Sequence, residues 1–262
     1  MDEHLNEMVE LLFDLSSIDR LTLLLTLRKE KNLRLTQLAQ KINATIPETS
    51  RHLGRLKEAK VIERKSDGSY SVTTYGQLVF LLLSSFSFLS KTREYFLSHD
   101  ISFLPQGFIE RIGELSTYAY TPNVSSVLRH IEQVISSANE YIWLMADQVV
   151  ITGPSIAQTI GNRDVSISVI MPKSSLMPER YQHAQTLLGD RLELKLLPDE
   201  DAKVAIAMNE KIAIITFADL KGKIDFDSGF SSSSVDFHRW SNDLFNFYWS
   251  RSKKPFVTTR RK

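Results

Sequence analysis

Thr49-Ser50-Arg51-His52-Leu53-Gly54-Arg55-Leu56-Lys57-Glu58-Ala59-Lys60-Val61-Ile62-Glu63-Arg64 is the stretch on which the reading of this 262-residue chain turns. At about 100° per residue on a helical wheel, Thr49, Leu53 and Leu56 fall on one side, which predicts a core-facing stripe. The opposite side carries Pro47, Arg51, Gly54, Arg55 and Glu58, with Glu48 and Ser50 on its borders. Pro47 suits the first turn of such a helix, because its missing N–H is one that the helix leaves unbonded there. The predicted helix covers 47–59. Its polar side is dense in groups that bond to flat, anionic or hydrogen-bonding surfaces.

Outward from it the order of elements is specific. Upstream, Ile18, Leu21, Leu24, Leu25 and Leu27 recur at helical spacing behind Ser16 and Ser17, which predicts a helix over 17–30. A second short helix is expected over Leu35–Ile42, followed by a turn at Asn43–Ile46. Downstream, two β-prone runs, Val61–Lys65 and Tyr70–Thr73, flank Ser66-Asp67-Gly68-Ser69, and Asp-Gly there predicts a hairpin. Helix, helix, turn, helix, hairpin is the order of a winged helix-turn-helix.

These residues, together with Gly68-Ser69-Tyr70 and Thr73-Thr74-Tyr75-Gly76, resemble the arsenical-repressor-type winged-helix regulators over roughly residues 15–77. That resemblance implies sequence-specific binding of double-stranded DNA as a homodimer, with the third helix in the major groove and the wing on the flanking backbone. On this reading Glu48, Ser50, Arg51 and Arg55 are the candidate base contacts, since arginine can engage guanine O6 and N7 together. Thr36, Lys57, Lys60, Arg64, Lys65 and Tyr70 are the candidate backbone contacts, which position without specifying. Gly54 would permit close approach to a sugar–phosphate wall, and His52, at the border of the face, reads as structural.

The charge distribution points the same way. Net charge is +1, but it is assembled from blocks of opposite sign. Residues 1–27 hold one basic and six acidic residues, residues 28–65 eleven basic and four acidic, and residues 76–250 fourteen basic and twenty acidic. The tail, 251–262, holds six basic residues and no acidic one. A basic block inside a neutral chain marks a local polyanion-binding surface.

Beyond the hairpin the composition changes. A long helix is expected from Thr74 to about Leu97, with Leu78, Val79, Leu81, Leu82, Leu83, Phe86, Phe88 and Leu89 making it apolar almost all round. Such a helix needs burial among partners, and a subunit contact is the expectation, with the amphipathic segment 5–15 joining it. His99–Pro105 reads as a linker. The domain reading is therefore 1–77 for the DNA-binding domain, 78–104 for the connecting and dimerising helix with its linker, 105–254 for an α/β domain, and 255–262 for a basic tail.

The remainder alternates. Helices are expected at 122–138, 154–160, 178–188 and 235–251, and strands at Tyr141–Val150, Val165–Met171, Leu192–Leu197, Val204–Met208 and Ile212–Phe217, the last two forming a hairpin. This pattern predicts a mixed α/β sheet, so the fold class as a whole is α+β. Phe103-Leu104-Pro105, Ile109–Leu115, Gly222-Lys223-Ile224-Asp225 and Trp240–Trp249 resemble the archaeal methanogenesis-regulator middle domain. That resemblance implies an archaeal transcription regulator whose second domain senses or dimerises. Small molecules settle at strand ends in α/β folds, so an effector is expected near the loops after Met145 and Met171, with Trp143 as a wall and Lys173 and Lys203 as partners of an anion.

Other chemistry finds little footing. The strand order resembles half of a degenerate phospholipase D-like fold, whose His-x-Lys-x4-Asp motif has only Lys203 as a counterpart, with Asp201 in the nucleophile's place and Met208 at the acid position. His4, His52, His99, His130, His183 and His238 form no ligand-spaced pair, and there is no cysteine for a disulfide or a thiolate site. No cofactor and no metal are expected, and the chain is expected not to be an enzyme. The alternatives are a scaffold that uses the winged helix for protein contacts and, less favoured, a phosphodiesterase-like enzyme. The acidic start and the absence of an apolar run near the ~20 residues of a membrane span predict a cytoplasmic protein without a membrane partner.

Overall fold

The structure is a computed structural model that describes residues 3–147 and 153–255. Gln148 to Val150, expected to end a strand, and the tail from Phe256 onward lie outside the described residues. The chain divides into two units, Met1–Ser84 and Ser85–Lys262.

The first unit opens with helices α1 (Glu3–Leu15), α2 (Ile18–Lys29), α3 (Leu35–Ile42) and α4 (Ile46–Glu58), continues through strands β1 (Ile62–Arg64) and β2 (Tyr70–Val72), and runs into α5 (Thr74–Lys91). Ser17 caps α2 by accepting from the Arg20 N–H, and α3 ends at Asn43 in the left-handed region, φ 53°. Leu23, Leu24 and Leu27 of α2, Leu38 of α3 and Leu53 and Leu56 of α4 are all buried in one core with Val61 and Ile62. β1 and β2 pair antiparallel with Arg64 opposite Tyr70, and Gly68 supplies the positive φ, 82°, that the turn needs. A β-carbon at Gly76 would lie 2.0 Å from the Val61 carbonyl oxygen, so the start of α5 is packed directly on the entry to the hairpin.

The expected helix to Leu97 is corrected. α5 stops at Lys91, where Thr92 departs from helical backbone geometry at φ −107° and ψ 16°, and a separate short helix α6 (Arg93–Phe96) follows. The apolar residues of α5 are also buried unevenly. Val79 and Phe88 are buried, whereas Tyr75, Leu78, Leu81, Leu82, Phe86 and Leu89 remain 43–65% exposed.

The second unit continues with α7 (Gln106–Glu110), β3 (Ala119–Thr121), α8 (Val124–Ser137), β4 (Tyr141–Met145), α9 (Gly153–Ile160), β5 (Ser166–Pro172), α10 (Pro178–Leu188), β6 (Leu192–Leu197), β7 (Val204–Met208), β8 (Ala213–Phe217), β9 (Gly229–Ser232) and α11 (Val235–Arg251). The sheet order is β3-β9-β8-β7-β4-β5-β6. β4, β5 and β6 are parallel, as their helical crossovers require, and the other pairings are antiparallel. The mixed α/β architecture thus stands.

Strand alternation divides the core into two layers. Met145, Ile170, Ile206, Ile215 and Phe217 pack with Phe237, Trp240, Leu244 and Phe245 of α11. Ile142, Ile167, Ala207 and Ile214 face the other way, toward Val127 and Val134 of α8 and Ile156 and Ile160 of α9. Asn209 organises the β7–β8 turn from a buried position: its Oδ1 accepts from the Lys211 and Ile212 N–H groups, and its Nδ2 donates to the Val134 carbonyl at 2.7 Å. At the sheet's margins β3 is three residues long, and Leu196 on β6 exchanges two backbone hydrogen bonds with Lys253, at 2.7 and 2.9 Å.

The stretch His99–Pro105, expected as a linker, is packed into this unit. His99 is buried, stacks on Tyr95 at 3.6 Å between ring centroids, and places Nε2 2.9 Å from the Asp225 carboxylate. Strands β3 and β9 went unpredicted, since Gly229-Phe230-Ser231-Ser232 has the composition of a loop and becomes a strand only through its pairing with β8.

Candidate nucleic-acid interface

α4 starts with a reciprocal cap. The Thr45 hydroxyl accepts from the Glu48 N–H, and the Glu48 carboxylate accepts from the Thr45 N–H at 3.1 Å and from its hydroxyl at 2.8 Å. These bonds hold the Glu48 carboxyl below the ordinary glutamate value. Of the four candidate base contacts, Glu48 is therefore occupied at its own helix terminus, while Ser50, Arg51 and Arg55 are exposed along the same helix. Arg51 makes no ion pair and no side-chain hydrogen bond among the described residues. Arg55 is half-exposed, 3.8 Å from the Asp14 carboxylate and 5.9 Å from the centroid of the Phe13 ring, so the end of α1 lies beside it. His52 pairs with Asp19 at 3.5 Å, a structural role that ties α4 to α2. Around Gly54 a β-carbon would meet nothing within 4 Å.

The candidate backbone contacts are placed unequally. Thr36 is exposed in the first turn of α3, and Lys57 and Lys60 are exposed at the end of α4, with Lys60 at a left-handed φ of 59°. Arg64 and Lys65 are exposed on the hairpin, and Lys65 donates to the Asn32 side chain at 2.7 Å. Tyr70 is buried, its ring 6.0 Å below the Arg64 guanidinium, and supports the hairpin rather than standing on its surface. Asp67 at the tip accepts from the Ser69 hydroxyl and N–H, which lowers its pKa.

Two further cations escaped the sequence reading. Leu33 forms a bridge to Tyr70, so the connection between α2 and α3 lies along the hairpin like a third strand. Lys31 and Arg34, which flank Leu33, are exposed there. The alternation of Lys31, Leu33 and Leu35 with polar neighbours was the signal that could have found them.

In the second unit, Trp143 stacks on Phe245 in the α11 layer at 4.8 Å. Lys203 lies 5.9 Å from the Phe103 ring, and Lys173 is exposed in a short 3-10 turn after β5. Among the described residues, no helix is long and apolar enough to cross a membrane.

No protein-family model matches the chain, and no curated protein matches it. Among solved structures the chain is similar to the archaeal chromatin protein TrmBL2, described as showing a novel mode of DNA binding, with 12% identity and a TM-score of 0.43 over 95% of this chain and 100% of that one. It is similar to NucT from Helicobacter pylori at 12% identity and a TM-score of 0.39, over 53% of this chain and 98% of that one. A third likeness is to the S-adenosylmethionine-dependent methyltransferase SibL, at 12% identity and a TM-score of 0.28 over 71% of this chain and 62% of that one. The expectation that the chain is not an enzyme is corrected at this point: methyltransferases recur among the solved structures it resembles, and the exclusion of catalysis is withdrawn. At these TM-scores no likeness transfers an activity to this chain.

Proposed function

We propose that this protein is a dimeric, sequence-specific DNA-binding transcriptional regulator of the winged helix-turn-helix type. One observation carries the reading. The outer face of α4 presents Ser50, Arg51 and Arg55, backed by a core made of Thr49, Leu53 and Leu56, and the neighbouring hairpin adds Arg64 and Lys65. A helix of this kind fits the B-DNA major groove, where an arginine fork reads guanine, while the lysines and the hairpin arginine take phosphates. The expected archaeal affiliation, the domain limits at 77 and 104, and the reading of the second unit as a sensor belong to the same proposal.

The exposed apolar residues of α1 and α5 support the homodimer. Leu5, Met8, Val9, Leu12 and Phe13 on α1, and the six exposed apolar residues of α5, are a heavy load for water to carry. On α5 the positions Tyr75, Leu78, Leu82 and Leu89, spaced three, four and seven residues apart, fall on one side of the helix, as in a helix–helix seam. Two copies joined there would present two reading helices to half-sites one helical turn apart, about 34–36 Å.

The decisive measurement is a gel shift on short genomic duplexes across a salt series, followed by genome-wide mapping of bound sites. The reading requires tight binding to a subset of duplexes and a steep fall of affinity with salt. Equal, weak binding to every duplex, or none, would remove it.

A further inference from the structure

The second unit contains a cavity of about 370 Å³ between the sheet and helices α8, α9 and α10. Its floor runs from Ile214 and Thr216 on β8, across Ala205 and Ala207 on β7, to Leu192 and Leu194 on β6. β8 and β6 are four strand spacings apart, which makes the floor roughly 19 Å long. The sequence reason for the space is the pair of alanines. β7 carries Val204, Ile206 and Met208 toward the α11 layer but only Ala205 and Ala207 toward this one. Tightly packed interiors hold few voids larger than a water molecule, so an opening of this size in mid-sheet has a use.

Polar groups on its wall are few and separated. Thr216 is 2% exposed, and its Oγ1 finds no hydrogen-bond partner among the described residues. A buried hydroxyl left unpaired is destabilising, so it calls for a partner. α10, at the β6 end of the sheet, brings Arg180 and His183 to the wall; both are exposed, and Arg180 has no ion pair or hydrogen bond among the described residues.

We propose that this cavity binds a carboxylate on an unbranched aliphatic chain that bears one oxygen function toward its far end, a hydroxy or oxo fatty acid. The carboxylate pairs with Arg180, the chain lies across the alanines of β7, and the distal oxygen meets the Thr216 hydroxyl. At about 30 Å³ for a water-sized group, the volume holds about a dozen non-hydrogen atoms. The proposal concerns the second unit alone and does not depend on DNA binding.

The test is thermal shift and calorimetry on the full chain with ω-hydroxydecanoate, decanoate and decan-1-ol, each below its micelle concentration. The hydroxy acid is expected to bind tightest, and shorter homologues to lose about four-fold per methylene removed. Arg180→Gln should weaken both acids roughly ten-fold while leaving the alcohol unchanged. Thr216→Val should abolish the preference for the hydroxy acid over decanoate. Ala207→Leu fills the floor and should remove binding of all three, with the milder Ala205→Val serving if that variant does not fold. Undiminished binding by a folded, filled variant overturns the proposal. So does failure of both acids to bind wild type, or the absence of any chain-length dependence.

Discussion

Arg51 and Arg55 share a helix face but not a setting. Among the described residues Arg51 makes no ion pair or side-chain hydrogen bond, whereas Arg55 stands beside Asp14 and the Phe13 ring of α1. Replacing either by alanine should cost about 1–3 kcal/mol at the specific site and relax discrimination at one base position, read by competition binding on single-base variants. Arg55→Ala should lose less than Arg51→Ala, because Arg55 must leave an existing carboxylate to reach DNA. Retained discrimination in both variants would move the reading element off α4. Two glycines separate packing from access at the same scale. Gly76→Ala drives a methyl into the Val61 carbonyl and should destabilise the first unit by about 1–3 kcal/mol or more in a denaturant titration. Gly54→Ala meets nothing and should stabilise α4 by about 0.5–1 kcal/mol, while weakening DNA binding if the helix backs onto a phosphate wall. The arginines were legible from the wheel. The engagement of Glu48 and the burial of Tyr70 were not, because a cap and a bridge from Leu33 depend on geometry that spacing does not encode.

At the scale of elements, periodicity located nearly every helix and strand, and α11 and β7 have the limits the pattern predicts. What it missed were β3 and β9, whose state is set by pairing with neighbours, and the break at Thr92, where the backbone leaves helical geometry inside an apolar run. The cavity of the second unit illustrates the same limit, since strand ends can be counted but the space left by Ala205 and Ala207 appears only once the layers are packed. The stripe on α5 gives a direct prediction. Leu78→Glu with Leu82→Glu should shift a dimer to a 30 kDa monomer in sedimentation at micromolar concentration, without lowering the helical signal, since both side chains are exposed. A wild-type chain that sediments as a monomer with and without DNA would remove the seam. The cap of α4 predicts a pH response. Glu48 is held below its ordinary value, so its contribution is present above that value and lost as pH falls through the folded one. Glu48→Gln keeps an acceptor at the same place and should flatten the acid limb of a stability profile below about pH 5. An unchanged limb would show that the cap does not govern it.

For the whole molecule, the division at Ser84 falls inside α5, so a helix rather than a loop carries the chain from one unit to the next. The broad plan, a helical basic segment followed by an acidic α/β segment, was legible from charge and alternation, because both are properties of composition. The order of strands was not, since β3, from the start of the unit, pairs with β9 near its end. The margins of that sheet have a consequence for the life of the chain outside its native state. An open strand edge invites another copy to add on, and chains that do so form fibres or amorphous aggregates. Here one edge is only three residues long, and the other is tied at Leu196 by the backbone of Lys253. Ending the chain at Arg251 would untie that edge while leaving α11 whole. Such a truncation should raise thioflavin binding and light scattering on mild heating, whereas ending it after Lys254 should not. The short segment at Lys253 would then matter less for what it binds than for keeping neighbouring copies apart.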